Sequence, residues 1–188
     1  TGIGVVAPTG IGVEAFWEAL VDGRSGIGPV TLFDASDLRC RIAGEVTNFD
    51  PHRHIGPDVR PRRMGRFTQL GLAATRLALE NAGLTPEDLR ACNSLPVVMG
   101  VSTSAMDLRA LPPRAFSGTV GIPGALGSAI VSRYELRARL RTLSDACGSG
   151  LDAVAAATEL IQNGESEIAL AGAAEGPIAR YVFQCFEK

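Results

Sequence analysis

The sequence lacks the marks of several large classes of protein. Only 20% of its 188 residues are charged and the formal net charge is −2, so nothing indicates nucleic acid binding. No apolar run reaches the roughly 18 residues of a membrane helix. The N-terminus shows no basic segment followed by an apolar one, and we expect a cytoplasmic protein. An apolar fraction of 46% excludes a disordered chain and predicts a globular core.

Metal ligands and disulfide patterns are also scarce. The four cysteines, Cys40, Cys92, Cys147 and Cys185, show no close pairing such as C-x-x-C, so we expect free thiols. His52 and His54 lie in a Pro-rich stretch where no acidic or thiol ligand completes a metal set. We therefore expect a solvated loop there, with no metal site and no bound cofactor.

What is present is an alternation of strand-like and helix-like segments. Apolar runs at 95–101, 140–144 and 167–174 predict strands, and helical spacing at 16–21, 67–81, 124–136 and 151–161 predicts helices. Thr85-Pro86-Glu87-Asp88 predicts the start of a short helical turn, and Pro112-Pro113 predicts a loop. Residues 24–61 show no sustained period, and we expect an irregular excursion with one possible strand at 41–46. The alternation predicts an α/β fold with helices on the faces of a sheet.

Cys147 has the most informative setting of the four thiols. It lies in Ser144-Asp145-Ala146-Cys147-Gly148-Ser149-Gly150, where a predicted strand turns directly into a predicted helix. Unpaired backbone N–H groups and the helix dipole favour a thiolate at such a position, and the glycines leave room for a substrate. The spacing suits acyl transfer, but it equally suits a small buried cysteine that fills a strand-to-helix corner.

The N-terminus carries a glycine pattern. The glycines of Gly2-Ile3-Gly4 suggest a dinucleotide loop with Asp22 downstream, but no helix follows directly and we reject that interpretation.

Arg60, Arg62, Arg63 and Arg66 form a basic cluster at the start of the second long predicted helix. The cluster is either a solvated helix end or a docking site for an acidic partner.

Four sequence blocks follow one another along the chain. They are T-G-I-G-V-V-A-P-T-G, F-W-E-A-L-V-D-G-R-S-G-I, R-R-M-G-R-F-T-Q-L-G-L-A-A-T-R-L-A-L-E-N-A-G-L, and S-D-A-C-G-S-G-L-D-A-V with A-G-A-A-E-G-P-I. In this order they resemble the N-terminal half of β-ketoacyl-[acyl-carrier-protein] synthases of the elongating type. The resemblance implies a thiolase-like fold whose N-terminal α/β half, residues 1–188, packs helices on a mixed sheet, and a homodimer or a heterodimer with a related subunit.

The resemblance also implies roles for particular residues. Cys147 would accept an acyl chain from acyl carrier protein, and decarboxylated malonyl carrier protein would then attack the thioester in a Claisen condensation of fatty-acid or polyketide synthesis. The backbone N–H of Cys147 would form half of the oxyanion hole. Arg62 and Arg63 match basic positions that meet the carrier protein, which itself carries the phosphopantetheine arm.

The sequence departs from the family pattern in two respects that bear on activity. The family draws two histidines, a lysine and a second oxyanion donor from a C-terminal half that this sequence does not contain, and neither His52 nor His54 matches them. Asp145 replaces a more usual threonine and would raise the thiol pKa unless its carboxylate points away. Two alternatives therefore remain: a non-catalytic synthase-like partner subunit or inactive fragment, and a thiolase-fold enzyme that uses coenzyme A thioesters.

Overall fold

The structure is a computed structural model that describes residues 1–103 and 122–187. The described helices are α1 (Val13–Val21), α2 (Pro51–His54), α3 (Arg66–Ala82), α4 (Pro86–Ala91), α5 (Ala125–Tyr134), α6 (Ser149–Gln162) and α7 (Arg180–Phe186). The strands are β1 (Val6–Ala7), β2 (Gly10–Ile11), β3 (Ile27–Pro29), β4 (Ile42–Gly44), β5 (Leu95–Gly100), β6 (Ala138–Leu143) and β7 (Leu170–Ala173). Within the described residues, 3-10 turns lie at Pro61–Arg63 and Ala146–Gly148. The loop predicted at Pro112-Pro113 falls outside the described residues.

A parallel sheet of order β6-β5-β7 forms the centre of the molecule. Val97 of β5 pairs with Leu140 of β6 and with Leu170 of β7. Every residue of β5 is buried, as expected for a parallel strand covered on both faces. The three strands that the sequence predicts at 95–101, 140–144 and 167–174 are confirmed. The strands that pair antiparallel, β1 with β2 and β3 with β4, form two small separate ladders.

Helices cover both faces of this sheet. Val97 packs in the main core with Phe67 of α3 and Leu126 of α5. The next residue, Val98, points to the other face, where it contacts Ala153 and Ala157 of α6. Alanines at these two positions let α6 lie close to β5. The predicted α/β arrangement with helices on a sheet is therefore confirmed.

Local sequence signals explain where the helices begin and end. Gly83 adopts the left-handed conformation, with φ of 66°, and ends α3. Thr85 and Asp88 form a capping box at the start of α4, and Pro86 occupies the first helical position. None of the helices in residues 1–103 and 122–187 is both long and apolar enough to cross a membrane.

The segment 24–61 is more ordered than expected. The possible strand at 41–46 is present as β4, but its partner β3 and the helix α2 were not predicted. The solvated loop expected at His52 and His54 is wrong: both residues lie in α2, and the His54 ring stacks on Phe49 with centroids 5.1 Å apart. This contact between Phe49 and His54 lies in a segment whose sequence pattern predicts only a loop.

The helix α7 was also missed. Arg180 forms an ion pair with Asp37 and donates to the carbonyl of Asp34 at 2.7 Å. Phe183 meets Phe33 edge to face, with centroids 5.3 Å apart. These contacts tie α7 to the loop between β3 and β4.

The helix at 16–21 is confirmed as α1, but its apolar row faces outward. Trp17 is 64% exposed and Val21 is 68% exposed, while Ala19 is buried.

Candidate active site

The carboxyl ends of three parallel strands meet at one edge of the sheet. Gly100, the last residue of β5, pairs with Leu143 at the end of β6 and with Ala173 at the end of β7. In parallel α/β sheets, ligands bind in the crevice outside these ends. The segments that follow the three strands, residues 101–103, 144–148 and 174–175, therefore form the candidate site.

The segment after β6 forms a strained turn. The chain passes from Leu143 through the 3-10 turn at Ala146–Gly148 directly into α6. Ala146 has a φ of 62°, in the left-handed region, which costs a residue with a Cβ about 1–2 kcal/mol. Among the described residues, only Glu135 shares this non-glycine feature, and it ends α5 in the common manner of a C-terminal cap. Strain at Ala146 has no such routine explanation and points to a functional turn.

Cys147 follows Ala146 in this turn and is an exposed free thiol. The structure thus places it where the sequence predicts, between a strand and a helix, and its exposure contradicts the alternative of a buried cysteine filling a corner. The 14-residue helix α6 begins two residues later, so its unpaired N–H groups and the positive end of its dipole lie beside the sulfur position. The role of Cys147 as a nucleophile stays a prediction at this point.

Ser149 is the polar residue that the turn buries. Only 3% of it is exposed. Its Oγ accepts a hydrogen bond from the backbone N–H of Asp145 at 2.9 Å and donates one to the carbonyl oxygen of Ala146 at 2.7 Å. Sequence reasoning missed this residue, since a serine at the start of a helix gives no sign of which backbone groups it contacts.

The carboxyl group of Asp145 lies beside that of Asp152 in the first turn of α6. Asp145 accepts a hydrogen bond from Asp152 when Asp152 is protonated, and this bond together with the negative charge of Asp145 raises the pKa of Asp152. A Cβ added at Gly148 would lie 3.1 Å from Asp145 Oδ1. The acidic side chain of Asp145 therefore lies against Gly148 and the first turn of α6.

Glu175 links the segments that follow β7 and β5. Its carboxylate accepts hydrogen bonds from the backbone N–H of Ser102, from the backbone N–H of Thr103 at 2.9 Å and from Thr103 Oγ1 at 2.7 Å. The sequence analysis did not single out Glu175. Its only sequence signal is an acidic residue that directly follows a predicted strand.

The basic cluster is divided by the structure. Arg62 and Arg63 lie exposed on the 3-10 turn before α3, and within residues 1–103 and 122–187 no carboxylate forms an ion pair with either. Arg66 instead turns inward, where its Nη2 donates to the carbonyl of Val46 at 2.7 Å and its guanidinium covers the Phe49 ring at 4.6 Å. Arg62 and Arg63 remain available to a partner, whereas Arg66 supports the fold.

The remaining thiols show no comparable surroundings. Cys40 and Cys185 are exposed, Cys92 is half-buried, and all are free. No group of three or more His, Cys, Asp and Glu side chains that could hold a metal ion occurs in the part of the chain that the structure describes.

The outer face of α6 carries an apolar row. Leu151 is 80% exposed, and Val154 and Ile161 are also exposed.

Comparison with known proteins agrees with this geometry. A family described as "Beta-ketoacyl synthase, N-terminal domain" matches residues 1–188. A "Putative polyketide beta-ketoacyl synthase 1" of Streptomyces cyaneus is 36% identical over 209 residues, covering 100% of this chain and 48% of that protein. A "3-oxoacyl-[acyl-carrier-protein] synthase 2" of Synechocystis sp. is 30% identical over 189 residues, covering 95% of this chain and 45% of that protein.

Among solved structures, "The ishigamide ketosynthase/chain length factor" superposes with a TM-score of 0.83 at 32% identity, covering 100% of this chain and 49% of that one. The thiolase-like fold expected from the sequence blocks is thereby confirmed. The chain spans about half the length of the curated relatives it matches.

Proposed function

The chain belongs to the β-ketoacyl synthase family, as its N-terminal domain, and on this premise we propose that it supplies the acyl-accepting half of a condensing enzyme of fatty-acid or polyketide synthesis. The reaction joins an acyl thioester to malonyl-[acyl-carrier-protein] with loss of carbon dioxide. The observation that carries the proposal is the exposed thiol of Cys147 on the strained turn between β6 and α6.

The geometry supports the first half of the reaction directly. The Cys147 thiolate attacks the carbonyl of an acyl thioester, and the backbone N–H of Cys147, in the turn that leads into α6, stabilises the oxyanion that forms. The thiol of the donor leaves with a proton, and the acyl chain remains on Cys147 as a thioester.

The second half of the reaction needs groups beyond those described. Decarboxylation of the malonyl thioester produces an enolate whose oxygen requires hydrogen-bond donors. The family resemblance assigns these donors to two histidines of the C-terminal half. His54 of this chain instead stacks on Phe49. The enolate carbon then attacks the acyl thioester, and the Cys147 thiol is released.

The partner in this proposal is an acyl carrier protein. One relative is named for the carrier protein it uses, and Arg62 and Arg63 offer an exposed basic surface to an acidic partner. The carrier protein brings phosphopantetheine with it, so no bound cofactor is part of the proposal. One solved relative combines a ketosynthase with a chain length factor, which supports a dimer with a related subunit. A cytoplasmic location belongs to the same proposal.

Acyl transfer to Cys147 tests the proposal. Full-length protein is incubated with acyl carrier protein that bears an acyl chain, and intact-mass and peptide spectrometry locate the added mass. We expect acylation of Cys147, loss of that acylation in Cys147→Ala, and full acylation in Cys185→Ala, which removes another exposed thiol.

Two results would point elsewhere. Acylation from coenzyme A thioesters with none from the carrier protein would favour a coenzyme A enzyme. A Cys147→Ala protein that still elongates acyl chains would refute the catalytic role of Cys147.

A further inference from the structure

Ala146 needs external support for its backbone conformation. Its φ of 62° lies in the region that glycine adopts freely and alanine does not. The turn places its first glycine after the nucleophile, at Gly148, and not at residue 146. Contacts from elsewhere in the structure therefore keep the peptide groups around Ala146 in place.

The Ser149 hydroxyl supplies such contacts on both sides of Ala146. It accepts from the N–H of Asp145 at 2.9 Å and donates to the carbonyl of Ala146 at 2.7 Å. The Ser149 backbone N–H donates to the same carbonyl. One buried side chain thus closes the backbone of residues 145 and 146 into a hydrogen-bonded ring.

The backbone of Ser149 packs closely against Gly100 at the end of β5. A Cβ added at Gly100 would overlap the Ser149 carbonyl oxygen and would lie 2.8 Å from the backbone nitrogen of Gly150. The first turn of α6 therefore rests directly on the end of β5. This contact fixes the backbone of Ser149, and the buried hydroxyl that this backbone carries binds the N–H of Asp145 and the carbonyl of Ala146.

The group that matters for chemistry is the N–H of Cys147. It belongs to the same trans peptide unit as the carbonyl of Ala146, and in such a unit the C=O and the N–H point in opposite directions. Since Ser149 holds this carbonyl, the N–H of Cys147 is directed away from the Ser149 hydroxyl. As one of the first N–H groups of the turn, it has no partner within the helix.

We infer that Ser149 is a positioning residue that directs the backbone N–H of Cys147 at the oxyanion formed when the thiol is acylated. The inference rests on the proposed function, because only an acyl transfer forms that oxyanion. Its signature is a difference between two reactions of the same sulfur. Acylation needs the N–H, whereas alkylation by iodoacetamide displaces iodide without forming an oxyanion.

Four variants of the full-length protein test the inference. Ser149→Ala removes the hydroxyl, Ala146→Gly relieves the strain, and the double variant combines them. Thr158→Val is the control, since the Thr158 hydroxyl also donates to a carbonyl within α6, that of Val154 at 2.8 Å, away from the turn. For each variant we measure the rate of Cys147 acylation by acyl carrier protein and the rate of alkylation.

Loss of one oxyanion-hole donor slows acyl transfer about 100-fold to 1,000-fold, and a misdirected donor retains part of its effect. We therefore expect Ser149→Ala to lower acylation by about 10-fold to 100-fold and alkylation by less than about 3-fold. The double variant should recover at least about 10-fold of a 100-fold loss, because glycine adopts a φ near 62° without the steric cost that alanine carries there. Thr158→Val should match the wild type in both reactions.

Three activity results would overturn the inference: unchanged acylation in Ser149→Ala, an equal loss of acylation and alkylation, or a double variant no faster than Ser149→Ala. Folding outcomes also decide it. A double variant that folds where Ser149→Ala does not supports the inference, whereas two unfolded variants contradict it.

Absence of acylation in the wild type would refute the proposed function instead. Crystal structures of the wild type and Ser149→Ala then decide the positioning role. A rotated Ala146 carbonyl in the variant supports it, and an unchanged carbonyl with φ still near 62° overturns it.

Discussion

Asp145 and Asp152 bring their carboxyl groups together at the first turn of α6, where protonated Asp152 donates a hydrogen bond to Asp145. This bond raises the pKa of Asp152, so the folded protein holds that proton more tightly than the unfolded chain does. The resulting stabilisation is complete below the ordinary aspartate pKa of 3.8 and is lost as the pH rises through the raised value. The pair that lies next to Cys147 thus favours the folded state in acid.

Asp152→Asn removes this titration and keeps an N–H donor for Asp145. We compare the melting temperature of the variant with that of the wild type at pH 3 and at pH 7. The difference, variant minus wild type, should be larger at pH 7 than at pH 3, by up to about 2 °C. Asp88→Asn is the control of opposite sign. Hydrogen bonds from Thr85 lower the pKa of Asp88, so its stabilisation is present above pH 3.8 and lost in acid. Parallel pH trends in the two variants would contradict this account.

Gly100→Ala tests the close packing of the first turn of α6 against the end of β5. The new Cβ would overlap the Ser149 carbonyl, and we expect the free energy of unfolding to fall by about 1–3 kcal/mol, measured by urea denaturation. Gly172→Ala lies on the neighbouring strand β7, where no atom would come within 4 Å of the added Cβ, and should change stability by less than about 0.5 kcal/mol. Equal effects at the two glycines would show that close packing at Gly100 is not the cause.

Glu175→Gln tests the link between the ends of β5 and β7. The amide keeps one acceptor oxygen but loses the charge that strengthens three hydrogen bonds, so we expect a loss of about 1–2 kcal/mol and acylation of Cys147 slowed about 10-fold. Glu45→Gln is a matched control. Glu45 accepts the same kinds of bonds from Thr31 and Leu32, away from the strand ends. It should lose similar stability and retain acylation; slowed acylation in both variants would argue against a specific role for Glu175.

Arg62→Glu and Arg63→Glu test the docking surface. Because both side chains are exposed, we expect little change in stability but a rise of about 10-fold in the KM for acyl carrier protein, with a wild-type KM that increases with salt. Arg24→Glu is the control, since its ion pair with Asp22 at 3.3 Å is exposed. Carrier-protein KM values that match among the three variants would place the docking surface elsewhere.

The elements that the sequence predicted are those whose cause is local or periodic. β5 is apolar at nearly every position because both of its faces are covered, and α3 combines helical spacing with a glycine that ends it. The capping box formed by Thr85 and Asp88 marks the start of α4 within residues 85–88. Cys147 was located because a strand and a helix meet around it.

The parts that were missed depend on contacts between distant segments or on a conformation foreign to the residue. Alanine has no preference for the left-handed region, so nothing in the sequence marks Ala146 as strained. Glu175 holds Ser102 and Thr103, which lie far back along the chain. The helix α7 lacks a side-chain cap and is stabilised by Asp37 and Phe33, which no local pattern reveals.

The parallel pairing of β5 has a consequence for biosynthesis. Val97 finds its partner Leu140 only after α5 has been made, and Leu170 only after α6. Until then the newly made strand stays apolar and unpaired in a growing chain, and such nonlocal pairing slows folding. Chaperone binding to nascent chains that end between β5 and β7 should therefore be strongest, and should fall once β7 leaves the ribosome.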